Sequence, residues 1–210
     1  MNQQDSLVHS YLFLRRAIGF IGVLLPFVVV AGSLLAGDGL LDSISGYYYS
    51  PMRNVFVGAM CAVGVFLLSY RGYDRLDNTT SAVAGFAAIG VGLFPTTPEG
   101  GHSSLQGVVG VLHLVFAALF FLPLAYFCLV LFRKSDKTRP TVRKKQRNRV
   151  YAVSGAVILA CLALIVLVNL FPDTGLHPAL WLESAAILAF GFAWLTKGEA
   201  ILGDLTPNPV

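Results

Sequence analysis

Six apolar stretches divide the chain, at residues 12–36, 54–70, 79–95, 105–132, 148–171 and 179–197, and almost no charged side chain falls inside them. A bilayer core of about 30 Å is crossed by about 20 apolar residues in helical form. The pattern predicts an all-α fold of six transmembrane helices forming one domain over residues 1–210. The polar connections are short, so neighbouring spans should run antiparallel. Ser103-Ser104-Leu105-Gln106 has the Ser-x-x-Gln spacing of a capping box and places the start of the fourth helix near Ser104. Pro178 suits the first turn of the sixth. Arg15 and Arg16 before the first stretch resemble a signal-peptide start, but the stretch is too long and "SLLAGDG" lacks a clear cleavage site. We read it as a retained span, bent at Pro26.

Composition agrees with this pattern. Of 210 residues, 56% are hydrophobic and 12% charged, where a soluble domain carries about 25% charge. Fourteen of the fifteen basic residues fall on one side of the six-span arrangement, nine of them in the loop 133–149, "RKSDKTRPTVRKKQRNR". Arg53 is alone on the other side. The positive-inside rule then puts both termini in the cytoplasm, with the chain multi-pass in the plasma (inner) membrane. The net charge of +4 invites a nucleic-acid reading. Its concentration in one juxtamembrane loop points instead to the lipid bilayer and its anionic headgroups as the partner. Cys61, Cys128 and Cys161 all lie within spans and form no CxxC pair.

Two outward exits look alike. "LFPTTPEGGH" closes the third span and "NLFPDTGLH" the fifth. Ala82-Val83-Ala84-Gly85 aligns with Ala152-Val153-Ser154-Gly155, and His113 with Glu183, each at an offset of 70. Helices 3–4 and 5–6 therefore read as a parallel hairpin repeat, an arrangement in which ligand sites often lie at the repeat interface. Small residues, among them the pair Gly58 and Ala62 and the glycines 85, 90, 92, 107 and 110, fit close helix packing.

The candidate chemistry gathers toward the outer face. An ionisable residue at membrane depth is costly and usually faces the bundle interior or a water-filled cavity. His113 and Glu183 are such residues. The outer loops add Asp42, Ser45, Tyr48, Tyr49, Arg53, His102 and His177. His102, His113, His177, Asp42 and Glu183 are also the candidate metal ligands, although no HxxxH or HExxH pair fixes two of them on one helix. The sequence has no nucleotide, flavin or haem signature.

The segments "SISGYYYSPMRNVFVG", "SYRGYD", "HLVFAALFF", "NRVY" and "WLTKGEAIL" resemble an uncharacterised bacterial family of multi-spanning membrane proteins, a domain of unknown function. More remotely, Ser45-x-x-Tyr48 followed by Tyr49 is similar to a Ser-x-x-Tyr-His segment of the alkaline ceramidase and adiponectin-receptor superfamily. That likeness implies seven spans and zinc-dependent lipid hydrolysis. This chain departs from it, with Tyr49 in place of the His and six spans.

Together these features predict an outward-facing polar pocket between spans two, four and six that binds a small polar ligand or lipid headgroup. Arg53 would contact an anion, His113 and Glu183 would form the buried polar core, and Tyr48 and Tyr49 the lining. Three alternatives stand beside it. One is an intramembrane hydrolase, metal-dependent or not, with His113 or Glu183 as general base. Another is a proton-coupled transporter. The last is a structural or assembly protein.

Overall fold

The computed structural model describes residues 3–134, 141–170 and 175–203. Six helices carry the fold: α1 (Gln3–Leu35), α2 (Arg53–Ser69), α3 (Arg75–Leu93), α4 (Ser104–Leu129), α5 (Val142–Val168) and α6 (Pro178–Lys197). Short 3-10 turns, Ser45–Tyr49 and Leu131–Arg133, sit before α2 and after α4. Among the described residues there is no strand. Four segments are long and apolar enough to cross a membrane: Ser10–Leu35, Ser104–Arg133, Val142–Val168 and Pro178–Lys197. Apolar α2 is shorter, and the first turn of α3 carries Arg75, Asp77 and Asn78.

The helix starts have local causes. Ser103 accepts from the Gln106 amide while Gln106 accepts from the Ser103 amide, closing the expected capping box. Asp74 caps α3 through the Asp77 amide, and Thr141 caps α5 through that of Lys144. Pro178 occupies the first turn of α6, where a missing N–H costs nothing. Helix α1 runs unbroken through Pro26, and α4 through Pro123.

One expectation needs correcting. The basic segment 133–149 is not a loop throughout, because α5 already begins at Val142. Lys, Arg and Gln are good helix formers, and Thr141 supplies the start. Arg143, Lys144, Lys145, Arg147 and Arg149 therefore project from helix. Residues 135–140 of that segment lie outside the described residues, as do Phe171, Pro172, Asp173 and Thr174 at the second Leu-Phe-Pro exit.

Each helix packs on its neighbours in sequence, and α6 returns to α1, so the six close into a ring. Cross-links at the two ends show that neighbours run antiparallel. At the end holding most of the basic residues, Tyr11 on α1 donates to the Arg71 carbonyl. There too Arg16 donates to the Gly198 carbonyl after α6, and Lys134 after α4 reaches Asp74 and Asp77 at the start of α3. At the opposite, tyrosine-bearing end, Tyr49 donates to Thr96 after α3.

Two glycine contacts set the closest helix approaches. A Cβ on Gly64 would stand 2.8 Å from the Gly85 carbonyl oxygen, and one on Gly85 would stand 2.8 Å from that of Gly64, so α2 and α3 touch backbone to backbone. A Cβ on Gly191 of α6 would lie 3.0 Å from the Gly19 carbonyl of α1. Gly58, which the sequence pattern paired with Ala62, has open space around it and plays no such part.

The interior is filled by aromatic rings. Trp194 is fully buried, with ring centroids of Tyr70 and Phe132 at 5.2 Å, Phe127 at 5.8 Å and Phe190 at 6.1 Å. The exterior is apolar too. Phe20, Phe27, Phe86, Val111, Leu122, Val153 and Val166 are all exposed. An apolar surface of this extent belongs against lipid rather than water.

Candidate functional site

The connection between α1 and α2 holds most of the candidate residues. It turns through the 3-10 segment Ser45–Tyr49, whose first amides need acceptors. Oε2 of Glu183, on the second turn of α6, accepts from the Ser45 amide at 3.1 Å, and the Ile44 amide also binds the carboxyl group. Glu183 thus clamps this turn onto α6. It is the backbone of Ser45, not its hydroxyl, that is engaged.

The turn presents Tyr47 inward, at 0% exposure, and Tyr48 and Tyr49 toward the end of the bundle. The Arg53 guanidinium lies 4.2 Å from the centre of the Tyr48 ring and donates to the Tyr48 hydroxyl at 2.5 Å. Tyr49 packs edge-on against Tyr48 at 5.2 Å and donates to the Thr96 carbonyl at 2.8 Å. Burial first, then the neighbouring Tyr48, hold the Tyr49 phenol above its ordinary value, with Arg53 opposing. Tyr49 therefore stays a neutral donor. Among the described residues no carboxylate pairs with Arg53.

Asp42 and His177 meet beside this turn, Oδ1 to Nδ1 at 2.5 Å. His177 precedes α6 in a left-handed conformation, φ 49°, which aims the chain into Pro178 while its ring meets the other connection. His102 is exposed and lies against Gly107.

His113 is 2% exposed. Its Nδ1 lies 2.7 Å from the Phe94 carbonyl oxygen. A carbonyl only accepts, so Nδ1 carries the proton. The Val91 carbonyl also faces the ring. His113 thus satisfies the end of α3, where Phe94 and the segment after it fold back on α4 and Thr97 sits against Gly110.

The three residues of the expected pocket each have a hydrogen-bond partner of their own rather than one another. His113 binds the end of α3, Glu183 binds the α1–α2 connection, and Arg53 binds Tyr48. Both buried ionisable groups serve backbone atoms at the tyrosine end, where helix termini leave amides and carbonyls without intrahelical partners. Among the described residues no three His, Cys, Asp or Glu side chains gather as a metal-binding group. The five candidate ligands divide into the Asp42–His177 pair and three separate positions. What remains assembled at this end is the Arg53–Tyr48–Tyr49 shelf.

The basic end holds a second polar cluster that the sequence did not reveal. The Arg15 guanidinium lies over the rings of Tyr11 and Tyr70, at 5.3 and 5.5 Å. The Lys197 ammonium lies 5.2 Å from the Tyr73 ring and 5.3 Å from that of Phe132. Lys144 donates to the carbonyls of Phe132 and Lys134 at 2.9 Å. In sequence these cations mark only topology. Only Tyr11 and Arg15 share a local spacing, four apart on α1; the other aromatic neighbours are far along the chain.

Lys134 donates to Asp74 at 2.8 Å and to Asp77 at 3.3 Å. The hydrogen bond to Lys134 holds the Asp74 carboxyl below its ordinary 3.8, and the bond to Asp74 holds Lys134 above its ordinary 10.5. A depressed carboxyl adds stability above its unfolded value and loses it as pH falls through the folded one. A raised lysine adds stability below its unfolded value and loses it as pH rises through the folded one. We therefore expect Lys134→Met to lower the melting temperature slightly near neutral pH. The difference from the parent should vanish on acidification below the Asp74 value. A difference that persists in acid would mean that the lysine acts through packing instead.

Also toward the basic end, a cavity of about 590 Å³ opens between α5 and α6, lined by Gln146, Arg149, Val153, Val157, Ala189 and Phe192.

An all-α ring of antiparallel helices, four of them of membrane-crossing length and with an apolar exterior, has the make-up of a membrane protein. No family model, no curated protein and no solved structure matches the chain.

Proposed function

We propose that the chain is a six-span protein of the plasma (inner) membrane, with the basic end in the cytoplasm, and that it binds a small anionic ligand or lipid headgroup at its outer end. The antiparallel ring of six helices supports six spans, because α2 and α3 stand between helices of full crossing length. The fourteen-to-one division of basic residues supports the orientation. The hairpins α3–α4 and α5–α6 remain candidates for a repeat. His113 and Glu183 align at the offset of 70, although they are the tenth residue of α4 and the sixth of α6, and each ties backbone at the same end.

One observation carries the ligand reading. The only basic residue of the outer connections, Arg53, is held by a tyrosine ring and hydroxyl rather than by a carboxylate. A guanidinium positioned this way keeps its charge and donors for an anion, and Arg is the side chain best suited to phosphate and carboxylate geometry. His113 and Glu183 hold the scaffold under the shelf. In the alternative hydrolytic or proton-carrying readings these same bonds would orient the two groups, Nδ1 of His113 by Phe94 and Oε2 of Glu183 by Ser45.

The test uses inorganic phosphate and glycerol phosphate on protein in detergent, with tyrosine and tryptophan fluorescence as readout. Arg53→Gln should weaken binding about tenfold, the weight of one charge-assisted hydrogen bond. Tyr48→Phe, which removes the hydroxyl that holds the guanidinium, should produce a smaller loss. Unchanged binding in Arg53→Gln would remove the shelf from consideration.

A further inference from the structure

The cavity between α5 and α6 differs in kind from the shelf at the other end. From Gln146 to Val157 it follows α5 for about 16 Å at 1.5 Å per residue. About 12 Å of that, from Arg149 to Val157, lies below the polar mouth, most of the depth of one leaflet of a core of roughly 30 Å. Its walls are apolar along most of this length, with Val153 and Val157 on one side and Ala189 and Phe192 on the other. Gln146 and Arg149 lie at the basic end, and Ser154 is the one polar side chain further in. The same end of α5 also carries Arg143 and Lys145, while the Lys144 ammonium is bound to the Phe132 and Lys134 carbonyls and Arg147 faces Glu199. Arg149 is exposed and pairs with no carboxylate among the described residues.

A largely apolar slot that reaches most of the way through one leaflet, with cations at its mouth, has the complementary shape and charge of a single lipid class. We infer that this groove holds one anionic phospholipid, with an acyl chain along Val153, Val157 and Phe192 and its phosphate at Arg149 and Gln146. The inference rests on the reading that the chain spans a bilayer with its basic end at headgroup level. It makes α5–α6 a specific lipid seat rather than part of a diffuse electrostatic attraction.

The full chain would be purified into nanodiscs of phosphatidylcholine containing a minor fraction of phosphatidylglycerol. Lipids retained after release into detergent would then be counted by native mass spectrometry. One phosphatidylglycerol per chain is expected. Arg149→Gln should lower its retention about tenfold, and Val153→Trp, which fills the slot from an exposed position, should abolish it. Val157→Phe is the second filling variant if the first folds poorly, and circular dichroism melting checks each. Inorganic phosphate should not displace the lipid. Displacement by phosphate alone would place the affinity in the headgroup and overturn the acyl seat. Equal retention of phosphatidylcholine, or unchanged retention in the Arg149 and filled variants, would overturn the inference entirely. Both nanodisc leaflets carry the same lipids, so the outcome does not depend on which end is cytoplasmic. Because Arg53→Gln leaves the groove intact, failure at the outer shelf would be seen separately.

Discussion

Trp194→Ala should destabilise the bundle by about 3 kcal/mol. In a membrane the apolar alternative to the core is lipid, so transferring the ring out of the bundle costs little by itself. The cavity cost remains. At roughly 24 cal/mol per Å³, a void of a little over ~100 Å³ amounts to about 3 kcal/mol. Little collapse is open to the site. The neighbouring rings of Tyr70, Phe127, Phe132 and Phe190 come from four different elements, and all but Trp194's own helix would have to shift to fill the space. Trp194→Phe is the discriminating partner. The Trp194 Nε1 is buried with no hydrogen-bond partner among the described residues. Removing an unsatisfied donor while keeping most of the ring should therefore be close to neutral. Unfolding in detergent, followed by circular dichroism, measures both. A loss of under about 1 kcal/mol in the alanine variant would mean that the core rearranges. A large loss in the phenylalanine variant would mean that the indole N–H has a partner after all.

The aromatic core also shows what was legible in the sequence. The six apolar runs and the starts near Ser104 and Pro178 were visible because length, caps and proline act locally. The ring order follows from short connections. The close approach of α2 and α3 was visible only as an excess of small residues. Gly64, not Gly58, makes the contact, and which side of a short helix meets its neighbour depends on tertiary packing. Burial of Trp194 beneath Lys197 was not visible either. A tryptophan beside a lysine at the end of a span reads equally well as an interfacial anchor.

The site was legible as a set of residues but not as an arrangement. His113 and Glu183 were singled out because an ionisable group inside an apolar helix is costly. That cost says a partner must exist without saying which. Side-chain chemistry suggested that they would meet each other. The structure gives each of them backbone groups instead, Phe94 for His113 and Ser45 for Glu183. Sequence does not show which amides and carbonyls of a connection are left open, because that depends on where each helix ends and how the next turn is wound. Arg53 and Tyr48 were both singled out, but not as a pair. Five residues separate the two, so a short turn leading into a helix brings them together.

Glu183→Ala should cost about 2–3 kcal/mol, the weight of hydrogen bonds to a carboxyl whose loss strands the amides of Ile44 and Ser45. Those amides open the turn that carries Tyr47, Tyr48 and Tyr49, so the effect should not stop at stability. With the turn no longer clamped to α6, Tyr48 loses its fixed place over Arg53, and phosphate binding at the shelf should weaken with it. Glu183→Gln keeps one acceptor oxygen of the same reach and should recover about half of the lost stability, together with most of the binding. Arg53→Gln should weaken binding with little change in melting temperature. That contrast separates the clamp from the ligand contact. A catalytic or proton-carrying carboxyl would behave in the opposite way. Glutamine, unable to take up a proton at neutral pH, would then be as inactive as alanine in any turnover or uptake assay while the protein stayed fully stable. Melting curves and phosphate titrations on the three variants therefore decide what Glu183 does. If glutamine restores both stability and binding, Glu183 serves to hold the tyrosine turn in place.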